Sequence, residues 1–196
     1  MLNFILFLVV GYLFGSIPFG FVIPKLKKGI DIRKIGSKGT TATNVSRVLG
    51  WRWGALAAIF DIFKSVVPTY LAVNLLGNAW QIIFVALMPT VGHIFPIWLN
   101  FKGGRGASTF FGAAIILVGL KFLLTSFIIW ITILFLFRIM SLTNLLFAWI
   151  FTLLLLIYFP WYFLYGLLGA VLITYALRDN IKRLKEGKEP KVSFKW

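Results

Sequence analysis

The sequence predicts an all-α integral membrane protein. The expectation is seven transmembrane helices, a short interfacial helix near 41–49, an outside N-terminus and a cytoplasmic C-terminus. Three observations carry it. Of 196 residues, 60% are apolar and 18% aromatic, at a mean hydropathy of +0.95. A soluble domain of this length has no use for that much apolar surface. The apolar runs are continuous rather than alternating, which favours helices over a β-barrel. The cations, finally, fall almost entirely in one set of loops, 18 of 20.

Each span requires roughly 20 apolar residues. On that basis the chain divides into spans at 2–23, 53–76, 80–99, 107–120, 122–137, 145–159 and 162–177, forming a single membrane domain. Eight Lys/Arg lie between the first two spans, two after the third, one after the fifth and seven after the last. An odd span count puts these 18 of the 20 cations on one side. By the positive-inside rule that side is cytoplasmic. Lys121 falls on the other side and Lys64 within the membrane. The net charge of +15 therefore does not indicate nucleic acid. The start, Met1-Leu2-Asn3, has no basic flank or following cleavage site and reads as a retained first span. Spans four and five are short, and read as a partly buried hairpin.

Span one carries Gly11, Gly15 and Gly20, small residues that favour close helix packing, and Pro18, which loosens its last turns. A basic run, Lys25 to Lys28, opens the following loop beside anionic headgroups. Then comes the longest polar break in the chain, Gly36 to Arg47. Its glycines, hydroxyls, amide and arginine suit a phosphate, and equally a capped, solvated loop. Thr40 or Thr41 caps a helix running to Leu49, with Gly50 as its stop. Ala42, Val45 and Leu49 share one face of it; Thr40, Asn44 and Arg47 share the other.

In span two, Asp61 and Lys64 stand three residues apart on one face. Ionisable groups there mark either a functional site or an internal bridge. Span three ends in Gly92-His93-Ile94-Phe95-Pro96, with the only histidine. His93 is either a general base or a donor to a carbonyl freed by Pro96. No carboxylate stands at a spacing that suggests a His–Asp pair. Gly103, Gly104, Arg105 and Gly106 open span four as a second anion cradle at a helix N-terminus, without the Walker A pattern. Arg138 to Asn144 forms a third polar turn. In the tail, the last helix continues past Leu177 into water and stops at Gly187. Asn180 and Arg183 share a face, and Asp179 pairs with Arg183 at i, i+4.

One histidine, no cysteine and scattered carboxylates give no metal site, and no Ser-His-Asp triad is evident. The cytoplasmic segments instead supply anion-binding groups beside lipid. That suits a phosphorylated substrate with an acyl chain. The rival class is a transporter or flippase for a phosphorylated lipid or metabolite, which places its polar elements nearer the midplane.

The motifs resemble those of the bacterial acyl-phosphate:glycerol-3-phosphate acyltransferase (PlsY) family over nearly the whole chain. Gly36-Ser37, Ala42-Thr43-Asn44 and Arg47 resemble the first family motif, GSGNxGATNxxR. Gly92-His93, Phe95-Pro96, Phe101 and Gly103-Gly104-Arg105-Gly106 resemble the second, GHxFPxxxxFxGGKG. Arg138 and Ser141-Leu142 match the third loop; Asn180-Ile181, Arg183-Leu184, Gly187 and Glu189 match the tail pattern NIxRLxxGxE. Lys38, Gly39 and Thr41 stand where the family has Gly, Asn and Gly. Arg105 replaces Lys, Asn144 a common Ser, and Leu177 a common His. The resemblance implies acyl transfer from acyl phosphate to the 1-hydroxyl of glycerol 3-phosphate, giving lysophosphatidic acid and phosphate. It implies an active site on the cytoplasmic face of the bacterial inner membrane, with no cofactor and no obligate protein partner. Gly103–Gly106, with Ser37 and Thr43, would hold acyl phosphate. Arg47, Asn180 and Arg183, with Ser141, would hold glycerol 3-phosphate, and Asn44 and Glu189 complete the expected set. The proton acceptor is His93 or a phosphate oxygen.

Overall fold

The computed structural model describes residues 2–192; Lys195, counted above with the tail cations, lies outside them. The described residues form helices, short 3-10 turns and loops, with no strand among them. Five helical segments among them are long and apolar enough to cross a bilayer: Leu2–Lys28, Trp51–Leu75, Ala79–Leu99, Leu120–Phe137 and Met140–Tyr158. Pro160–Ala176 with Arg178–Lys185, bent by 62°, counts as a sixth only where the bent pair is one broken span rather than a re-entrant loop. The expected fourth span, 107–120, is the helix Ala107–Val118, which has only 12 residues. It rises about 18 Å, well short of a hydrocarbon core of ~30 Å. Its Phe110, Ala113 and Ala114 are fully buried, and Gly112 lies against Ile62 and Ser65. An enclosed core helix and a span look alike in sequence, because both are apolar all round.

Two compact units divide the chain, residues 1–117 and 118–196. The first holds α1 (Leu2–Ser16), α2 (Phe19–Lys28), α3 (Ala42–Leu49), α4 (Trp51–Leu75), α5 (Ala79–Ile94) and nearly all of α6 (Ala107–Val118). The first span is broken rather than merely loosened: Ile17 and Pro18 separate α1 from α2. The helix then runs on through Lys25–Lys28, which sequence placed in a loop, and ends at Gly29 in a left-handed turn (φ 67°). Three charged stems can extend a helix with no apolar periodicity to show it.

The glycines of α1 serve packing, as expected. Gly15 meets the backbone of Pro89 on α5, and Gly92 of α5 meets the backbone of α1 at Tyr12. Any Cβ at these points would force the helices apart. Tyr12 Oη ties the pair by donating to the Phe95 carbonyl at 2.9 Å. Beneath α3, Ile23, Ile32, Val45 and Ala57 form a small buried cluster flanked by Trp53 and Leu56. Thr41 caps α3 by accepting the Asn44 N–H at 3.2 Å, and Gly50 ends it, both as expected.

The second unit holds α7 (Leu120–Phe137), α8 (Met140–Tyr158), α9 (Phe163–Ala176) and α10 (Arg178–Lys185). Ring contacts bind α7 to α8, with Phe122 edge-on to Phe159 at 4.8 Å. The expected polar turn at 138–144 is shorter: Arg138, left-handed at φ 55°, ends α7, and α8 begins at Met140. Ser141, Thr143 and Asn144 are therefore helical. A helix start accepts such residues because its first N–H groups lack carbonyl partners. Asn144 accepts from Trp130 Nε1 at 2.9 Å. The last helix does not run straight; it bends at the buried Leu177. The tail then returns to α8, where the Val192 N–H donates to the Arg138 carbonyl at 2.6 Å.

Candidate active site

In the first unit the polar break is built around Asn44, which is fully buried. Its Nδ2 donates to the carbonyls of Ile32 (3.3 Å), Ile35 (3.0 Å) and Gly39 (3.0 Å). Its Oδ1 accepts the Ser37 backbone N–H at 3.0 Å. One amide thus closes the loop from Ile32 to Gly39. Gly36, at φ 62°, approaches Asn44 Oδ1 so closely that no Cβ fits. At the loop's entry Asp31 caps a 3-10 turn, and the Arg33 guanidinium bonded to it holds its carboxyl at about 2.

The expected polar stripe of α3 is not a uniform surface. Thr40 and Asn44 are buried and structural in their contacts, whereas Arg47 is exposed. The Ser37 hydroxyl, the Thr43 hydroxyl and the Arg47 guanidinium form no side-chain hydrogen bond or ion pair among the described residues. They are the donors left available by the folded loop.

The glycine segment folds back on the end of α5. Asn100 and Phe101 take left-handed backbones (φ 52° and 59°), and the Phe101 N–H reaches the Pro96 carbonyl at 3.0 Å. Gly103 N–H then donates to Ile94 O (3.1 Å) and Gly104 N–H to His93 O (3.0 Å). These satisfy carbonyls that the helix end leaves free. A Cβ on Gly103 would strike the His93 carbonyl, and one on Gly104 would strike the His93 ring. Gly106 (φ 81°) opens α6 over Thr90, and Thr109 Oγ1 donates to its carbonyl at 2.9 Å. Thr90 Oγ1 is buried with no partner among the described residues. Arg105 is half-buried in this turn.

Below the turn lies a polar cluster that sequence reasoning did not assemble. Asp61 and Lys64 do form the expected pair, at 2.9 Å. His93 joins them, its Nδ1 standing 2.9 Å from Lys64 Nζ and 3.5 Å from Asp61 Oδ1. Lys64 Nζ also donates to the Ile17 carbonyl at 2.8 Å, at the break between α1 and α2. A carboxylate therefore does stand by the histidine, brought from another helix. The only sequence signal was the rarity of two ions deep in an apolar span.

In the second unit Glu189 gathers the tail residues. It accepts from Ser141 Oγ (2.8 Å), Asn180 Nδ2 (2.6 Å) and Arg183 Nε (2.7 Å). Arg183 thus pairs with Glu189 rather than with the expected Asp179, because the turn at Gly187 (φ 67°) returns the chain. Burial alone would raise the Glu189 pKa. The bonds from Asn180, Arg183 and Ser141 outweigh it and hold the carboxyl below its ordinary value. An acceptor and a charged donor three residues apart on α10, Asn180 Oδ1 and Arg183 Nη2, are buried and have no partner among the described residues.

Apolar spans, a glycine turn at a helix start and unpartnered cationic and amide groups mark a membrane protein with groups suited to binding anions. Residues 5–187 match the glycerol-3-phosphate acyltransferase family, and the chain belongs to it. A glycerol-3-phosphate acyltransferase of Prochlorococcus marinus is 40% identical, over 96% of this chain and 98% of its own. One of Aquifex aeolicus is 38% identical over 94% and 97%. A crystal structure of PlsY, an integral membrane glycerol 3-phosphate acyltransferase, in its glycerol 3-phosphate form, superposes with a TM-score of 0.91. It is 34% identical, covering 97% of this chain and 96% of that one. The lysophosphatidic acid form gives 0.89 at the same identity.

Proposed function

We propose that this protein transfers a fatty acyl group from acyl phosphate to the 1-hydroxyl of glycerol 3-phosphate. The hydroxyl oxygen bonds to the acyl carbonyl carbon, the bond from that carbon to the phosphate oxygen breaks, and the hydroxyl proton ends on the released phosphate. An acyl phosphate is already activated, so no covalent enzyme nucleophile is required. The protein binds two anions, aligns the hydroxyl and stabilises the developing oxyanion.

The observation that carries this reading is the pair of buried, unpartnered atoms Asn180 Oδ1 and Arg183 Nη2. A phosphorylated polyol supplies what each lacks: a hydroxyl donor for the amide oxygen and a phosphate oxygen for the guanidinium. Glu189 orients both side chains, and Ser141 anchors Glu189. In the first unit, Gly103–Gly106, Ser37, Thr43 and Arg105 bind the acyl phosphate. Arg47 adds an exposed guanidinium for phosphate, and Asn44 shapes the loop that carries Ser37. The working topology is seven passes in the bacterial inner membrane, with the short α6 as an enclosed segment and the polar loops cytoplasmic. Lipid is the only further partner. A transporter reading has no such observation on its side.

The test incubates the full-length protein in detergent with palmitoyl phosphate and labelled glycerol 3-phosphate. Lysophosphatidic acid and inorganic phosphate are the expected products, and palmitoyl-CoA in place of palmitoyl phosphate yields none. Absence of product with palmitoyl phosphate overturns the assignment; product from palmitoyl-CoA alone overturns the donor.

A further inference from the structure

Lys64 links the glycine turn at 103–106 to the loop at 36–47. Its Nζ, on a side chain 2% exposed, donates to the Ile17 carbonyl (2.8 Å) and stands 2.9 Å from His93 Nδ1. Asp61 Oδ1, 2.9 Å away, already balances its charge. The contacts with Ile17 and His93 therefore do more than neutralise a buried ion. Ile17 lies in the break after α1, where Pro18 has no N–H to continue the helical ladder. Its carbonyl accepts the Phe19 N–H at 3.2 Å, and the ammonium takes the second lone pair. That break sets the course of α2, which leads to the first loop. Gly20 of α2 sits so near the Thr40 carbonyl that no Cβ fits between them. Thr40 is buried, adjoins the cap of α3 and lies three residues from Ser37. On the other side His93 carries the glycine turn. Its carbonyl accepts the Gly104 N–H at 3.0 Å, and its ring backs onto Gly104.

We propose that Lys64 is a positioning residue for acyl transfer. It fixes the Gly103–Gly106 turn and the Gly36–Arg47 loop relative to each other, so that donors on both act on one substrate. The inference rests on the acyl-transfer reading for what is aligned, but not for the link itself. Each segment keeps its own ligand groups without Lys64; only their relative placement is lost. Such a loss falls on kcat rather than on KM, because binding at each segment survives while alignment does not. Asp61 supports the role by keeping the buried ammonium compensated, and α2 transmits it to the loop.

The chain has no cysteine, so K34C and K102C, both at exposed lysines, place one spin label beside each segment without background. Dipolar distances are measured on the full-length protein in nanodiscs, without substrate. A narrow distribution is expected in the otherwise wild-type chain and a broadened or shifted one in D61N/K64M. Removing both charges together leaves no unpaired ion, so D61N/K64M should unfold thermally close to wild type, whereas K64M alone is destabilised. With palmitoyl phosphate and glycerol 3-phosphate, D61N/K64M is expected to lose about a hundredfold in kcat, with each KM changed less than about threefold. Gly20→Ala, with Lys64 intact, tests the relay through α2 and decides the matter even where D61N/K64M does not fold. It should alter the distances and lower kcat in the same way. Unchanged distances, kcat within about twofold of wild type, or a loss confined to KM in a folded variant overturns the proposal. The distances are read without substrate, so they decide the link even if acyl transfer fails. An active wild type whose distances are the same in both variants would sink the inference and leave the acyl-transfer reading intact.

Discussion

Asn44 holds Ser37 in place: its Oδ1 accepts the Ser37 N–H at 3.0 Å, while its Nδ2 binds three carbonyls of the same loop. The two residues belong to one motif but do different work. Asn44 is committed to the backbone, whereas the Ser37 hydroxyl is left free for a ligand. The loop is thereby pre-shaped, which lowers the entropy lost when an anion binds.

Asn44→Ala is expected to strand that N–H and those carbonyls, costing about 2–3 kcal/mol of stability. Asn44→Asp cannot donate to the carbonyls and sets a charge against them, so it should be at least as damaging. Ser37→Ala should leave the fold within ~0.5 kcal/mol of wild type but lower kcat/KM for acyl phosphate. Thermal unfolding alongside steady-state kinetics separates the two. Equal loss of stability in S37A and N44A would refute the division of roles.

Lys38 holds a left-handed backbone (φ 57°) where the family has glycine. A side chain there carries about 1 kcal/mol of strain, only partly offset by a stiffer unfolded chain. Lys38→Gly is expected to raise stability by ~0.5 kcal/mol. Thr41, also a departure, acts oppositely: its hydroxyl caps α3, so Thr41→Gly should lose a few tenths of a kcal/mol. Denaturant midpoints moving in the same direction for both variants would contradict this.

The helices were legible because apolar runs and Gly50 are local signals, and Thr41 and Gly50 bounded α3 correctly for that reason. The break at Pro18 and the helix running on to Gly29 were not read. Three further features were not legible. The shortness of α6 depends on its enclosure by protein, which apolarity does not reveal. The return of Glu189 to Ser141 spans 48 residues and turns on one left-handed glycine, Gly187. His93 meets Lys64 across 29 residues on different helices, a spacing with no periodic signature. Within the site, the motif residues were nameable in sequence, but their sorting into loop-closing Asn44 and unpartnered Ser37 needed hydrogen bonds.

Gly104 offers a steric test of the glycine turn. Its backbone is not left-handed, so alanine there is conformationally acceptable, yet the added Cβ would strike the His93 ring. Gly104→Ala should therefore displace the ring or the turn by some tenths of an ångström or more. A loss of about a hundredfold in kcat/KM is expected, typical of a misplaced binding group. Gly77→Ala meets nothing within 4 Å and serves as the control. Matching kinetics for the two variants would show that the approach to His93 has no consequence.

Glu189 makes the docking of the tail depend on pH. Its side chain is 6% exposed and its pKa is lowered from the ordinary 4.5: burial opposes ionisation, and three hydrogen bonds overcome it. A carboxyl with a depressed folded pKa contributes stability above its unfolded value and loses it as pH falls through the folded one. The contribution is therefore complete at pH 7 and is lost below about 4.5, toward the lowered pKa. Hydrogen exchange of the amides from Arg183 to Val192 should show protection that is flat at neutral pH and falls in that acidic window. Glu189→Gln keeps the shape but loses the charge that bonds Arg183. It should show reduced protection at pH 7 and no further acid-dependent loss in this segment. A wild-type tail that stays equally protected through the window, or a glutamine variant that still responds to acid there, would assign the docking to something other than the Glu189 carboxylate.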